Sequence, residues 1–184
     1  MPRAGLTPAA VVDVALALID EKGLDALSLA AVADRAGVAS PSLYKHVGSL
    51  ADLRELMAER IARQMTSVFA SEVMGRSGDE AVVALMRTWR TYVLNHPARY
   101  HLVPLDPLRQ GAAMAQAGAE FMEVFVAVMR GYGLDDEATT HAIRRLRAAV
   151  HGFATLEAGG GFGMDVDVEQ SYDQLIDMCV RSLR

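Results

Sequence analysis

The sequence predicts an all-α protein, with an N-terminal helix-turn-helix followed by a C-terminal helical bundle. Three observations carry that prediction. Apolar residues recur at three- and four-residue spacing almost throughout. No segment shows the apolar–polar alternation of a half-buried strand, and no internal repeat is present. Ser, Thr and Asp stand just ahead of the periodic runs and Gly just behind several of them, as helix starts and stops require. With 184 residues, 52% of them hydrophobic, the chain has ample material for a core.

The first helix is expected from about Thr7, its cap, to Lys22, with Pro8 in the first turn and Gly23 after the end. Val11, Val14, Ala15, Leu18 and Ile19 form its stripe. Ser28 caps a short second helix, Leu27 can staple onto Val32, and Gly37 stops it. Ser40 is the expected cap of a third helix of two turns, with Pro41 at its first position and Leu43 and Val47 inward. Ser49-Leu50-Ala51-Asp52 is a capping-box signature opening a helix to about Met74, with Leu53, Met57, Ile61, Met65 and Val68 on one face.

After the break at residues 75–78 a second unit begins. Residues 79–95 are amphipathic, with Val82, Met86, Trp89 and Val93 together. Pro97, Pro104 and Pro107 punctuate an irregular stretch holding a short helical turn. From Leu108 to Tyr132 one long helix is expected. Its polar residues fall on a single narrow stripe, which predicts central burial. Two helices remain, residues 135–158 and 168–183, joined through Gly159-Gly160-Gly161-Phe162-Gly163.

Charge and cysteine content restrict the function classes. Net charge is −5, which by itself disfavours a polyanion partner. Yet Arg35 to Ala51 contains no Asp or Glu, and it includes Lys45 and His46. One cysteine excludes an internal disulfide and fits a cytoplasmic location. There is no run of eighteen apolar residues, so no membrane partner is expected. Asp13 interrupts the apolar N-terminal stretch and no small-residue cleavage site follows, so a helix is expected there and not a signal peptide.

Two short helices joined by a tight turn containing Gly form a helix-turn-helix. Such a unit cannot bury its own apolar face, so the helices before and after must brace it and the third helix is left outward. A helix fits the major groove, its leading residues meeting base edges while its flanks grip phosphates. Ser40 and Ser42 are small donors on that leading turn, and Pro41 can meet a thymine methyl. Tyr44 offers a hydroxyl to phosphate, Lys45 a charge, and His46 a further donor. The competing reading is a solvated surface helix.

The stretch LAAVADRAGVASPSLYKHVGSLADL resembles the helix-turn-helix of the TetR family of bacterial transcriptional repressors. The order of elements suits the family's nine-helix layout over the whole chain. The resemblance implies a DNA-reading domain over residues 1–48 and a ligand-binding and dimerising domain over 49–184, with 49–74 as the connecting helix. It implies a homodimer on a double-stranded operator, its last two helices forming a four-helix interface, and a small-molecule effector that changes the spacing of the readers. It assigns DNA contact to Ser28, Ser40, Ser42, Tyr44, Lys45 and His46. Where the family often has a Lys near the start of the fourth helix this chain has Leu50, and where it often has Phe after the His this chain has Val47. Arg3 is the candidate for the missing phosphate contact. The interface stripes are Leu146, Val150 and Phe153, then Tyr172, Leu175, Ile176 and Cys179.

Met86, Trp89, Tyr92, Met114, Phe121, Met122 and Phe125 are helically spaced and richer in Met and aromatic groups than a minimal core needs. They are the candidate lining of a site for an apolar or aromatic effector. His151, inside the stripe of residues 143–153, is a core histidine or a ligand contact. Cys179 reads as a small buried hydrophobe. No histidine or cysteine spacing suggests a metal, no phosphate loop surrounds the Gly run, and no catalytic motif appears, so no cofactor and no enzymatic activity are expected. The rival class is a helical small-molecule binder or enzyme that keeps the helix-turn-helix without using it on DNA.

Overall fold

The computed structural model describes residues 6–184, and its described residues hold nine α-helices and no strand. They are α1 (Pro8–Lys22), α2 (Leu29–Ala36), α3 (Ser40–Leu43), α4 (Leu50–Val73), α5 (Gly78–Asn95), α6 (Pro97–Tyr100), α7 (Ala112–Met129), α8 (Asp136–Ala158) and α9 (Val168–Arg181). Two compact units result. One takes the chain up to Ala62 with Ala98–Ala117; the other takes Arg63–Pro97 with Gly118–Arg184. Packing therefore divides α4 at Ala62. The boundary expected at residue 48 is a division of roles and does not coincide with it.

In the first unit α1, α2 and α3 pack in sequence. Thr7 caps α1 by accepting the Ala10 amide at 3.1 Å, and Val11, Val12, Ala15, Leu16, Leu18 and Ile19 are buried. Val14 is half-exposed, because the buried arc turns toward Val12 and Leu16. Along the first half of α4, Leu53, Met57 and Ile61 are fully buried. Ser49 caps it, accepting the Asp52 amide at 3.1 Å and donating to the Asp52 carboxylate at 2.7 Å. Arg99 of α6 holds Asp20 of α1 at 2.8 Å.

In the second unit α5 packs on both α8 and α9, and those two on each other. The stripe of α4 continues here with Met65 and Phe69, not Val68, which is 43% exposed. Steps of four carry the run 53, 57, 61, 65 to 69, and a step of three would leave the buried arc.

The single helix expected over 108–132 is broken. Pro107–Arg109 forms a 3-10 turn, α7 starts at Ala112, and a second 3-10 turn at Arg130–Tyr132 ends on Gly133 at φ 64°. Nor is α7 buried all round: Phe125, Val128 and Met129 are buried, whereas Met122 and Val126 are each 37% exposed. Its many alanines give it an apolar composition without bulk to bury. By length and composition alone Ala112–Tyr132 could cross a membrane, with a mean hydropathy of 1.3; a core helix passes the same test.

Candidate DNA-reading surface and aromatic core

Ser28 caps α2 by accepting the Ala31 amide at 3.1 Å, and its hydroxyl hydrogen stays available to a phosphate. Leu27, just ahead, is buried as the staple requires. Gly37, left-handed at φ 67°, reverses the chain out of α2, and the Val38 amide returns to the Ala33 carbonyl at 3.0 Å.

The third helix is shorter than the sequence suggests. Ala39, extended at ψ 140°, is its cap residue; Ser40 and Pro41 are its first two residues, and helical pairing stops at Leu43. Pro is tolerated there because first-turn amides have no intrahelical partner. Tyr44, Lys45 and His46 lie on a turn, closed by the His46 and Val47 amides on the Leu43 carbonyl at 2.9 and 3.1 Å. Leu43 is 0% and Val47 3% exposed, so the turn is pinned from beneath, while Tyr44 is 58% exposed. Ser40, Pro41 and Lys45 are exposed, and Ser42 and His46 half-buried. Apart from Arg3, outside the described residues, every expected DNA contact is the cap of α2 or lies on α3 or this turn.

Residues 1–60 carry six basic and eight acidic side chains. Their distribution matters more than their sum. Arg35 pairs with Glu21 at 2.5 Å, Arg60 with Asp13 at 2.8 Å, and Arg99 takes Asp20. Among the described residues no ion pair engages Lys45. The carboxylates of α1 are thus matched by arginines, and Lys45 keeps its charge beside exposed Ser40 and Tyr44.

The second unit holds an aromatic cluster. Trp89 lies 5.9 Å from Phe69, 6.0 Å from Phe121 and 5.3 Å from Phe125, ring centre to ring centre. Phe121 and Phe125 are 5.0 Å apart, and Tyr92 meets Phe69 edge-on at 6.3 Å. Of the expected ligand residues Trp89, Tyr92, Phe121 and Phe125 belong to it. Met86 is buried, and its carbonyl accepts the Tyr172 hydroxyl at 2.6 Å. Met114 does not join: it packs in the first unit with Ala58, Ala62 and Ala117. Met122, one residue on from Phe121 and so about 100° round α7, lies at the edge of the buried arc and is 37% exposed. His151 is half-buried on α8. Phe69 was missed by sequence reasoning, although its four-residue step from Met65 was visible.

Leu146, Val150, Tyr172, Ile176 and Cys179 are between 0% and 5% exposed in the single chain, so they form its own core and have no surface to give a partner. Phe153 packs at a tilt against Tyr172 at 4.9 Å and Phe162 at 4.7 Å, and Leu175 is half-buried. Burial pushes the Cys179 thiol above its ordinary range, which suits an inert packing role. Arg90, also unforeseen, is 11% exposed and binds Glu157 through two nitrogens, at 2.6 and 2.7 Å, and Glu169 at 2.5 Å. It sits 4.7 Å over the Tyr172 ring.

Comparison with known proteins agrees with this arrangement. Residues 11–57 match the model of the bacterial regulatory proteins of the tetR family, and residues 82–179 match a tetracyclin repressor-like C-terminal domain. An uncharacterised HTH-type transcriptional regulator of Mycobacterium tuberculosis is 33% identical, over 94% of this chain and 79% of its own. A protein of unknown function from Rhodococcus superposes with a TM-score of 0.82 at 21% identity, covering 98% of this chain and 97% of its own. The Streptomyces coelicolor TetR family protein ActR, in complex with actinorhodin, superposes at 0.72 with 22% identity, covering 98% and 96%. A helix-turn-helix match at one end, a repressor-like match over most of the remainder and a relative aligned nearly end to end place the chain in the TetR family, as a DNA-binding transcriptional regulator and not an enzyme.

Proposed function

We propose that the protein is a cytoplasmic homodimeric repressor, with residues 1–48 reading DNA and residues 49–184 dimerising and binding the effector. It reads a palindromic operator with α3 and the turn behind it, and an apolar, aromatic effector releases it. Ser40, Pro41 and Ser42 meet base edges, while Tyr44, Lys45, His46 and Ser28 hold phosphates; Arg3 adds a contact from ahead of α1. The observation that carries this reading is the pinned turn. Leu43 and Val47 are buried to hold Tyr44 and Lys45 outward, in a stretch free of carboxylates.

The test is selection of binding sites from random DNA. An inverted repeat should emerge, and Lys45→Ala should flatten the dependence of log K on log salt by about one unit while Tyr44→Ala weakens binding. No enriched sequence, or both variants at full affinity, would reject the assignment.

The effector reading is supported by the aromatic cluster. Its rings meet edge to face or tilted at 5.0–6.3 Å, so a ligand must part them, and half-exposed Phe121 is the natural point of entry. Parting them disturbs Trp89, the chain's one tryptophan. An effector that favours one reader spacing by about 1–3 kcal/mol changes operator affinity several-fold to a hundredfold. The molecule that releases operator should therefore shift Trp89 emission, and Phe125→Ala should alter that shift. Release with unchanged emission would place the effector elsewhere.

A further inference from the structure

The side chains able to read bases are restricted in kind. Adenine is gripped through two hydrogen bonds by the amide of Asn or Gln, and guanine by Arg or Lys; cytosine is read by a carboxylate. Residues 1–62 contain neither Asn nor Gln. No Asp or Glu lies between Arg35 and Ala51. From Ala36 to Tyr44 there is no Arg or Lys either. Lys45 stands beyond Leu43, where the helical pairing of α3 has already stopped, and Arg35 is held by Glu21 at 2.5 Å. The hydrogen-bonding side chains of residues 36–44 are therefore Ser40, Ser42 and Tyr44. A hydroxyl both donates and accepts, so a serine fits either kind of base edge and discriminates little between them.

The outward surface that remains is apolar and rigid. Ala39 and Pro41 are both exposed, one on each side of Ser40. Ala39 is extended at ψ 140°, and its carbonyl accepts the Ser42 amide at 2.8 Å. Leu43, 0% exposed, anchors the segment from beneath. Neither Ala nor Pro has side-chain rotamers to lose, so a contact made by them costs no side-chain entropy. The apolar feature of a base pair in the major groove is the 5-methyl group of thymine.

We propose that Ala39 and Pro41 determine the base specificity of this protein by packing on thymine 5-methyl groups. The operator half-site is then read as thymine positions, and the serines between add hydrogen bonds that tolerate several bases. The proposal rests on the assignment of α3 to DNA and adds Ala39 to the residues which that assignment names. Burying one methyl group corresponds to about a fourfold gain in affinity.

The experiment starts from the duplex enriched out of random DNA by the full chain. That duplex is resynthesised with deoxyuridine in place of each thymine in turn. Uracil keeps the pairing edge and lacks only the methyl group. At one or two thymines of each half-site the replacement should weaken binding about fourfold. The dependence of log K on log salt should keep its slope, since no charge is altered. Ala39→Ser with Pro41→Ser, both at exposed positions, should make thymine and uracil bind alike at those sites. The proposal is overturned if uracil is tolerated at every position, which would leave specificity to DNA shape. It is equally overturned by an enriched half-site without thymine, or by a double variant that discriminates as well as the parent. In each of these cases DNA binding stands and only the methyl contacts fail. Failure to enrich any sequence removes the DNA assignment itself and this inference with it.

Discussion

Arg90 shows how one residue joins three elements. It projects from α5, grips Glu157 of α8 with two nitrogens, reaches Glu169 at the start of α9, and lies over the ring of Tyr172. The fork geometry of a guanidinium is what allows all of this at once, and Lys could not reproduce it. The pair with Glu157 is largely sheltered, at 11% and 18% exposure, so removing one partner strands the other. Arg90→Met should cost about 3 kcal/mol in urea unfolding. Glu157→Gln in the Arg90→Met background should add much less than it does alone, a coupling that a double-mutant cycle measures. Independent, additive losses would show that the network contributes nothing as a unit. Arg90 and Phe69 were both missed in the sequence, but only Phe69 was legible there. The step from Met65 to Phe69 is local and readable. The pairing of residue 90 with 157 and 169 is set by tertiary approach, and no periodicity within α5 points to it. The outward face of Met122 was hidden in a similar way: an alanine-rich helix looks apolar all round while burying one side.

At the scale of elements, caps and stops were the most legible features. Thr7, Ser28, Ser49 and Asp135 each accept a first-turn amide, because Ser, Thr and Asp side chains answer the unpaired donors of a helix start. The short α3 was less legible, since a four-residue helix ends by tertiary pinning at Leu43 and Val47 and not by any stop residue of its own. Element ends also carry the clearest pH effect. Asp79, in the first turn of α5, accepts the Tyr132 hydroxyl at 2.7 Å, from the 3-10 turn after α7, and pairs with Arg184 at the end of the chain. Those two partners, Tyr132 first, hold its carboxyl below the ordinary value of 3.8. A depressed carboxylate contributes stability that is complete above its unfolded value and is lost as pH falls through the lower folded one. Asp79→Asn should therefore lower stability at neutral pH and flatten its fall below about pH 4. Acid unfolding curves that superimpose for the two proteins would show that the contact carries no linkage. Gly131 adds a steric tie at the same place: a Cβ there would stand 2.7 Å from the Gly78 amide nitrogen, so Gly131→Ala must displace the start of α5.

The whole molecule has a surface that its own packing leaves open. Most of the stripes of α8 and α9 that the sequence offered as an interface is buried in the single chain, where α5 packs on both helices, while Phe153 and Leu175 are half-buried. A period of 3.6 shows that a helix has an apolar stripe, and is silent on whether that stripe meets the chain's own helices or a second copy. The remaining faces differ in character. On α8, Ala148 and Gly152 are small enough for a close helix approach, and Leu156 beyond them is 55% exposed. On α9, Met178 is 56% exposed, with Leu175 one turn before it. Small residues flanked by large uncovered apolar ones suit a two-fold contact in which the same patch meets itself. The proposed homodimer would need its two reading turns to meet half-sites one helical turn of DNA apart, about 34 Å. Met178→Glu and Leu156→Glu lie outside the protomer core, so both should leave helical content unchanged while converting the protein to a monomer in light scattering. Operator binding should fall with the dimer, since a lone half-site forfeits the linkage between two readers. Leu146→Glu makes the contrast, burying a charge in the core and unfolding the chain. A wild-type protein that scatters as a monomer at micromolar concentration, or a Met178→Glu variant that remains a dimer, would remove α8 and α9 from the interface.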